Sequence, residues 1–184
     1  MTRPDWDPYF MALAELAATR ATCDRKHVGA VLVKGRRVLA TGYNGAPGGL
    51  PSCDEAGHQR VDVGGRQSCV ATLHAESNAL DWAGREARGS TLYTTAFPCH
   101  PCALRIVNAG IVRVCYGEHY ASQNTPLAVT LLGKAGIEVV QVSPARHPLV
   151  LEAVALLVEI HQSTALDQYE DFQQQIEDFL RRAK

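Results

Sequence analysis

Between residues 6 and 20 the apolar side chains Tyr9, Phe10, Leu13, Leu16 and Ala17 recur at the spacing of one helix face. The first predicted element is therefore an amphipathic helix. From Val28 to Val33 that period gives way to a nearly unbroken apolar, β-branched run; Lys34-Gly35-Arg36 supplies a turn and Val38-Leu39-Ala40 returns. This predicts a β-hairpin. Helical spacing resumes over 73–82, a strand follows over 90–95, and a second helix over 99–108 opens behind Pro98. A strand over 112–116, a helix over 127–134 ended by Gly136, and a fifth strand over 137–142 complete the rhythm. Such β-α-β alternation predicts an α/β fold, a mixed sheet with helices on both faces. Beyond Pro144, residues 148–162 and 166–182 read as two terminal helices, the first apolar enough to be core or a subunit contact. Residues 43–67 show neither period and are rich in Gly and Pro. A loop of that length in a compact domain is functional or is pinned by something other than a core.

The chain has 184 residues, enough for one domain with a sizeable core. It is expected to be a single domain over 1–184, with 145–184 as a C-terminal helical extension. A formal net charge of −1 argues against a general nucleic-acid binder, which would carry a basic face. No apolar run reaches the length of a membrane span, and the segment Met1-Thr2-Arg3-Pro4-Asp5-Trp6-Asp7 lacks the regions of a signal peptide. A cytoplasmic location is expected. In a reducing compartment the six cysteines are better explained as thiolates on metal than as disulfides. Only Cys115, inside an apolar strand, reads as plain core.

Chemistry concentrates in His74-Ala75-Glu76 and Pro98-Cys99-His100-Pro101-Cys102. A catalytic zinc takes three protein ligands and leaves its fourth position open, and His74, Cys99 and Cys102 supply three. Zinc lowers the pKa of a bound water from about 15.7 to roughly 7, which makes a nucleophile available at neutral pH. Glu76 is then the group that can move protons. Both ligand groups fall at predicted helix starts, where the dipole favours thiolate over thiol. Taken singly, a C-x-x-C is equally a redox dithiol or half of a structural zinc site, and a lone His is more often a core residue. Taken together and in this order, they form the signature of zinc nucleobase deaminases.

Four stretches narrow the resemblance. They are Phe10 to Ala14 leading to Arg20 and Val28-Gly29-Ala30; Thr41-Gly42-Tyr43-Asn44-Gly45-Ala46-Pro47; His74 to Ala79; and Pro98 to Cys102 with Ala109-Gly110-Ile111. Through them, residues 28–142 resemble the deoxycytidylate (dCMP) deaminase family, including its late-competence-operon type. The resemblance implies the three-layer α/β/α cytidine deaminase-like fold with a five-stranded mixed sheet, and conversion of dCMP to dUMP and ammonia. It also implies that Asn44 contacts the deoxyribose, that Ala75 or a neighbouring backbone group fixes the base, and that Gly42, Tyr43 and Gly45 belong to an allosteric nucleotide site. The implied effectors are dCTP and dTTP, with Mg2+ accompanying the nucleotide, in a hexamer. Cys23, Cys53, His58 and Cys69 match positions that are commonly cysteines in the competence-type members, with His58 as the exception. The resemblance thus implies a second, structural zinc site of Cys3His type that would pin the long loop.

A 5′-phosphate needs cationic donors, and the candidates are Arg20, Arg25, Lys26 and Arg105. Stacking on the pyrimidine falls to Tyr120 or Phe97. A deaminase of a 5-modified dCMP or of another base remains open, because pocket shape and not the zinc motif chooses the substrate, and His100-Pro101 between the ligands could reshape the floor. A tRNA or single-stranded DNA deaminase is disfavoured, since basic patches interleaved with aromatics are absent. A zinc-bearing competence or assembly component without turnover is the rival from another class, and it would have no need of Glu76.

Overall fold

A computed structural model describes residues 3–63, 66–119 and 125–145. The two terminal helices expected beyond residue 148, and Tyr120, lie outside the described residues. Helix α1 (Trp6–Ala18) precedes the hairpin β1 (Gly29–Lys34) and β2 (Arg37–Tyr43). Next come a short helix α2 (Cys53–Ala56) and a separate two-stranded hairpin, β3 (Arg60–Val63) and β4 (Arg66–Cys69). Helix α3 (Ala75–Ala83), β5 (Thr91–Ala96), α4 (His100–Ala109), β6 (Arg113–Glu118), α5 (Thr125–Lys134) and β7 (Glu138–Gln141) complete the order. The main sheet runs β2-β1-β5-β6-β7, with β1 antiparallel to both neighbours and β5, β6 and β7 parallel. The expected five-stranded mixed sheet is present. Among the described residues no helix is long and apolar enough to cross a membrane.

Strand alternation sorts the core into two layers. Ala30, Leu32, Leu92 and Val114 face the side covered by α3, α4 and α5, where Ala79, Leu80, Ile106 and Leu132 are buried. Val31, Val33, Tyr93 and Cys115 face α1 and its Phe10, Met11 and Ala14. Lying between β2 and β5, β1 is buried on both faces, which is why it reads as a continuous apolar run. Its turn holds Gly35 and Arg36 at φ of 56° and 63°, the left-handed pair that a two-residue hairpin loop requires.

Two glycines set the layer spacing. A Cβ on Gly29 would lie 2.0 Å from the Ala14 carbonyl oxygen of α1, and one on Gly42 would lie 2.2 Å from the Ala75 carbonyl oxygen of α3. Gly42→Ala is therefore expected to push the start of α3 off the sheet and to destabilise the fold by about 1–3 kcal/mol, the usual cost of overpacking. Urea denaturation followed by circular dichroism measures this.

Helix α1 is tied to the sheet by charge as well. The Asp7 carboxylate accepts two hydrogen bonds from the Arg113 guanidinium, both 2.8 Å, and one of 2.6 Å from the Tyr93 hydroxyl. Arg113 also pairs with Glu138 at 3.1 Å. The Arg113 hydrogen bonds hold the Asp7 carboxyl below its ordinary value of 3.8, against the opposing effect of burial. Because the folded pKa is depressed, the stability from Asp7 is complete above the unfolded value and is lost as pH falls through the folded one. Asp7→Asn is expected to lower unfolding free energy at pH 7 by about 2 kcal/mol. The gap between variant and parent should close in titrations carried below pH 3.8.

The stretch expected as a long loop is partly structured. Its strands β3 and β4 were illegible because Arg60, Asp62, Arg66 and Gln67 carry no alternating apolar pattern and the described part of the hairpin is largely exposed. Pairing of Arg60 with Cys69 ends it at a cysteine.

Candidate active site and metal centres

His74 and Cys99 are the N-cap residues of α3 and α4, so the two helix starts face one another as the sequence spacing predicts. Pro101 sits in the first turn of α4, where its missing N–H leaves no helix bond unmade. His74 Nδ1 lies 3.3 Å from Cys99 Sγ and 3.4 Å from Cys102 Sγ. Tetrahedral zinc with the usual Zn–S and Zn–N bonds sets sulfur and nitrogen about 3.6 Å apart, so the donors already stand at ligand spacing. Hydrogen bonding with Cys99 raises His74 to about 9. Hydrogen bonds with Cys102 and then His74 bring Cys99 down to about 4, and its bond to Cys99 together with burial pushes Cys102 up. Two adjacent thiols cannot both ionise alone; a divalent cation between them lets both do so. Glu76, two residues on, is 4% exposed, and burial raises its carboxyl pKa. The Ser77 hydroxyl approaches Cys102 Sγ at 3.8 Å.

Cys23, Cys53, His58 and Cys69 also converge, all four donor atoms lying within 4.8 Å of one another. Cys53 and Cys69 Sγ are 3.6 Å apart, and Cys23 Sγ is 3.9 Å from His58 Nδ1. The thiols again divide. Burial pushes Cys53 up to about 12, while for Cys69 hydrogen bonds with the Ala71 backbone and His58 outweigh burial and bring it to about 7. On its far side His58 Nε2 meets Asp24 Oδ1 at 2.8 Å, the carboxylate–histidine arrangement that orients a metal-ligating imidazole. Both donor sets fit zinc.

One cavity of about 280 Å³ joins these groups. Its lining takes His74, Glu76 and Cys99 from the first cluster, Cys23 and Cys69 from the second, and Arg25, Lys26, Asn44, Ala75 and Phe97 between them. Of the four cationic candidates, Arg25 and Lys26 line it and Arg20 and Arg105 do not. Arg105 pairs with Asp81 across α3 and α4 instead. Lys26 reaches Glu118 at 3.0 Å.

The sequence of the cytidine and deoxycytidylate deaminase zinc-binding region matches residues 4–118. The chain belongs to this family. It is 41% identical over 153 residues to the deoxycytidylate deaminase of Schizosaccharomyces pombe, an alignment covering 80% of this chain and 47% of the yeast protein. The chain thus spans about half the length of that relative. With the deoxycytidylate deaminase of Mycobacterium phage D29 it shares 46% identity over 63% of this chain and 97% of the phage protein. The dCMP deaminase of cyanophage S-TIM5, solved in complex with dCMP and dUMP, superposes with a TM-score of 0.63 at 31% identity, covering 77% of this chain and all of the phage chain. Zinc is the metal of this family's matched region, which contains both clusters.

In this deaminase-family chain the residues around Asn44 have tasks the sequence did not disclose. Asn44 lines the cavity, but its side chain also holds backbone: Oδ1 accepts the Val28 N–H at 2.7 Å and Nδ2 donates to the Lys26 carbonyl at 2.9 Å. One amide hydrogen and one lone pair remain for a ligand. Gly42 lets α3 approach the sheet, the Tyr43 carbonyl accepts a 2.8 Å bond from Asn78, and Gly45 forms a bridge to Leu73, the residue before His74. None of these three lines the cavity. The element thus docks the His74 helix start to the Asn44 loop. Ser77 and Asp24 were missed, although each is adjacent to a residue already singled out. Phe97 is buried, stacks on His119 at 5.4 Å and meets Tyr116 edge-on at 5.0 Å.

Proposed function

We propose that this chain catalyses the hydrolytic deamination of dCMP to dUMP and ammonia. What carries the reading is the single cavity that sets a His-Cys-Cys-Glu deaminating centre beside Arg25 and Lys26. The deoxycytidylate deaminases it resembles support this reading. Bound by His74, Cys99 and Cys102, zinc supplies the Lewis acidity that makes water nucleophilic near neutral pH. Glu76 would take one proton from the attacking water and deliver it to the ring nitrogen N3, then take the second from the new C4 hydroxyl and pass it to the departing amine, so that dCMP and water become dUMP and ammonia. Its burial keeps the carboxyl from competing solvent. The Ala75 N–H, in the first turn of α3, fixes the base, and Phe97 offers its ring to the pyrimidine. Asn44 uses its remaining donor on the sugar, and Arg25 and Lys26 take the phosphate.

We further propose a second, structural zinc held by Cys23, Cys53, His58 and Cys69. Its supports are the donor spacing and the Asp24 carboxylate behind His58. Regulation by dCTP and dTTP with Mg2+ through residues 42–45, a hexameric assembly and a cytoplasmic location follow from the family resemblance. Activation carried by residues 42–45 would act through the Gly45–Leu73 bridge to His74.

The test is deamination of dCMP, 5-substituted dCMP, CMP, dCTP and deoxycytidine by the purified protein, followed by absorbance, with and without added dCTP. Preferred turnover of dCMP is expected. Turnover of a 5-substituted analogue alone would move the substrate, and silence across a zinc-loaded panel would overturn the reading.

A further inference from the structure

The segment 22–28 is a wall of the cavity that belongs to no helix or strand. It is held instead from two sides. Asn44 makes four hydrogen bonds to it: its carbonyl accepts the Thr22 N–H, its N–H donates to the Val28 carbonyl, and its side chain takes Val28 and Lys26. On the other side Cys23 enters the four-residue metal cluster, and Asp24 pairs with the far nitrogen of His58. The next two residues are Arg25 and Lys26, the cations on the cavity.

We propose that the four-residue metal site mounts the phosphate-binding wall, so that its occupancy sets affinity for the 5′-phosphate and not the rate of the chemistry. This rests on the zinc and dCMP readings above. The cluster joins Cys23, whose segment pairs with no strand, to the α2 region with Cys53 and His58 and to Cys69, which the β3–β4 pairing of Arg60 with Cys69 already sets near His58. Closing such a site by metal fixes a loop that packing does not fix. A cation on a fixed backbone binds a phosphate with less entropy lost than the same cation on a mobile one. The catalytic donors are held independently: His74 by the Gly45–Leu73 bridge and α3, Cys99 and Cys102 by the first turn of α4. Asp24, 81% exposed and bonded to His58, is a positioning residue acting through that ligand.

The experiment compares the full chain with Cys53→Ser and Asp24→Asn. Zinc per chain is measured, steady-state kinetics are run with dCMP and deoxycytidine, and dUMP and deoxyuridine are titrated calorimetrically. Two zinc ions per chain are expected in the parent and one in Cys53→Ser. KM for dCMP and Kd for dUMP should rise about tenfold in that variant, while kcat and deoxyuridine binding change by less than about twofold. Asp24→Asn should weaken zinc at this site by about 10–100-fold, and added zinc should restore its dUMP affinity. That rescue also decides the matter if Cys53→Ser does not fold. One zinc in the parent, unchanged dUMP affinity after loss of the second zinc, or equal weakening of dUMP and deoxyuridine would each overturn the proposal. If no substrate turns over, the deamination reading fails, and the dUMP and zinc titrations still decide this one.

Discussion

Glu76→Gln is expected to keep the fold and the bound zinc while losing about 10²–10⁴-fold in turnover, the contribution of a positioned general acid–base. The two side chains have nearly the same shape, and position 76 is 4% exposed, so the amide occupies the volume of the carboxyl. Packing against α3 and the cavity is thereby preserved. What disappears is the ability to accept a proton from water and release it to the base. The loss should fall on kcat, with dUMP binding and zinc content as in the parent, because the substitution touches neither the metal donors nor the cationic wall. Unfolding temperature should stay level or rise, since a group that is costly to bury as an anion becomes neutral. Retained turnover would remove Glu76 from the mechanism.

Cys102→Ser is expected to have the larger effect on activity and a different metal signature. Cys102 is buried at 2% exposure in the first turn of α4, against Ser77 and the imidazole of His74. Serine is a poor zinc ligand there, because its hydroxyl stays protonated where a thiol ionises on the metal. Turnover should fall on the order of 10⁴-fold or more, as metal activation and acid–base transfer are lost together. Zinc content should drop by one per chain and no further, since Cys23, Cys53, His58 and Cys69 form a separate set. Elemental analysis beside the deamination assay reads both. Loss of both ions from this single change would mean that the two clusters share their metal chemistry.

Much of the candidate active site was legible because its parts are local. Cys99 and Cys102 are three apart and fall on one helical turn behind a proline, and His74 and Glu76 open another. The alternating elements were equally plain, since β1 is buried on both faces and α1 on one. The hairpin of β3 and β4 escaped notice because its described residues bury little and carry no periodic apolar signal. Arg105 looked like a phosphate ligand from its position behind the C-x-x-C, yet the geometry of α3 and α4 hands it to Asp81. The packing tasks of Gly42 and Gly45 were not legible, because the first lets α3 approach the sheet and the second bridges to Leu73 far along the chain.

The sequence by itself determined the donor types, their spacing within each turn, and the order of the strands and helices that form the main sheet and its covering layers. These depend on backbone geometry over a few residues, which the residue types fix nearly alone. Only the tertiary structure decided that Cys23, Cys53, His58 and Cys69 meet, that Asn44 clamps the segment carrying Arg25 and Lys26, and that both clusters of donor side chains open on one cavity. Those contacts join segments distant in the chain, and their formation depends on how the sheet and its helices pack to close the intervening loops.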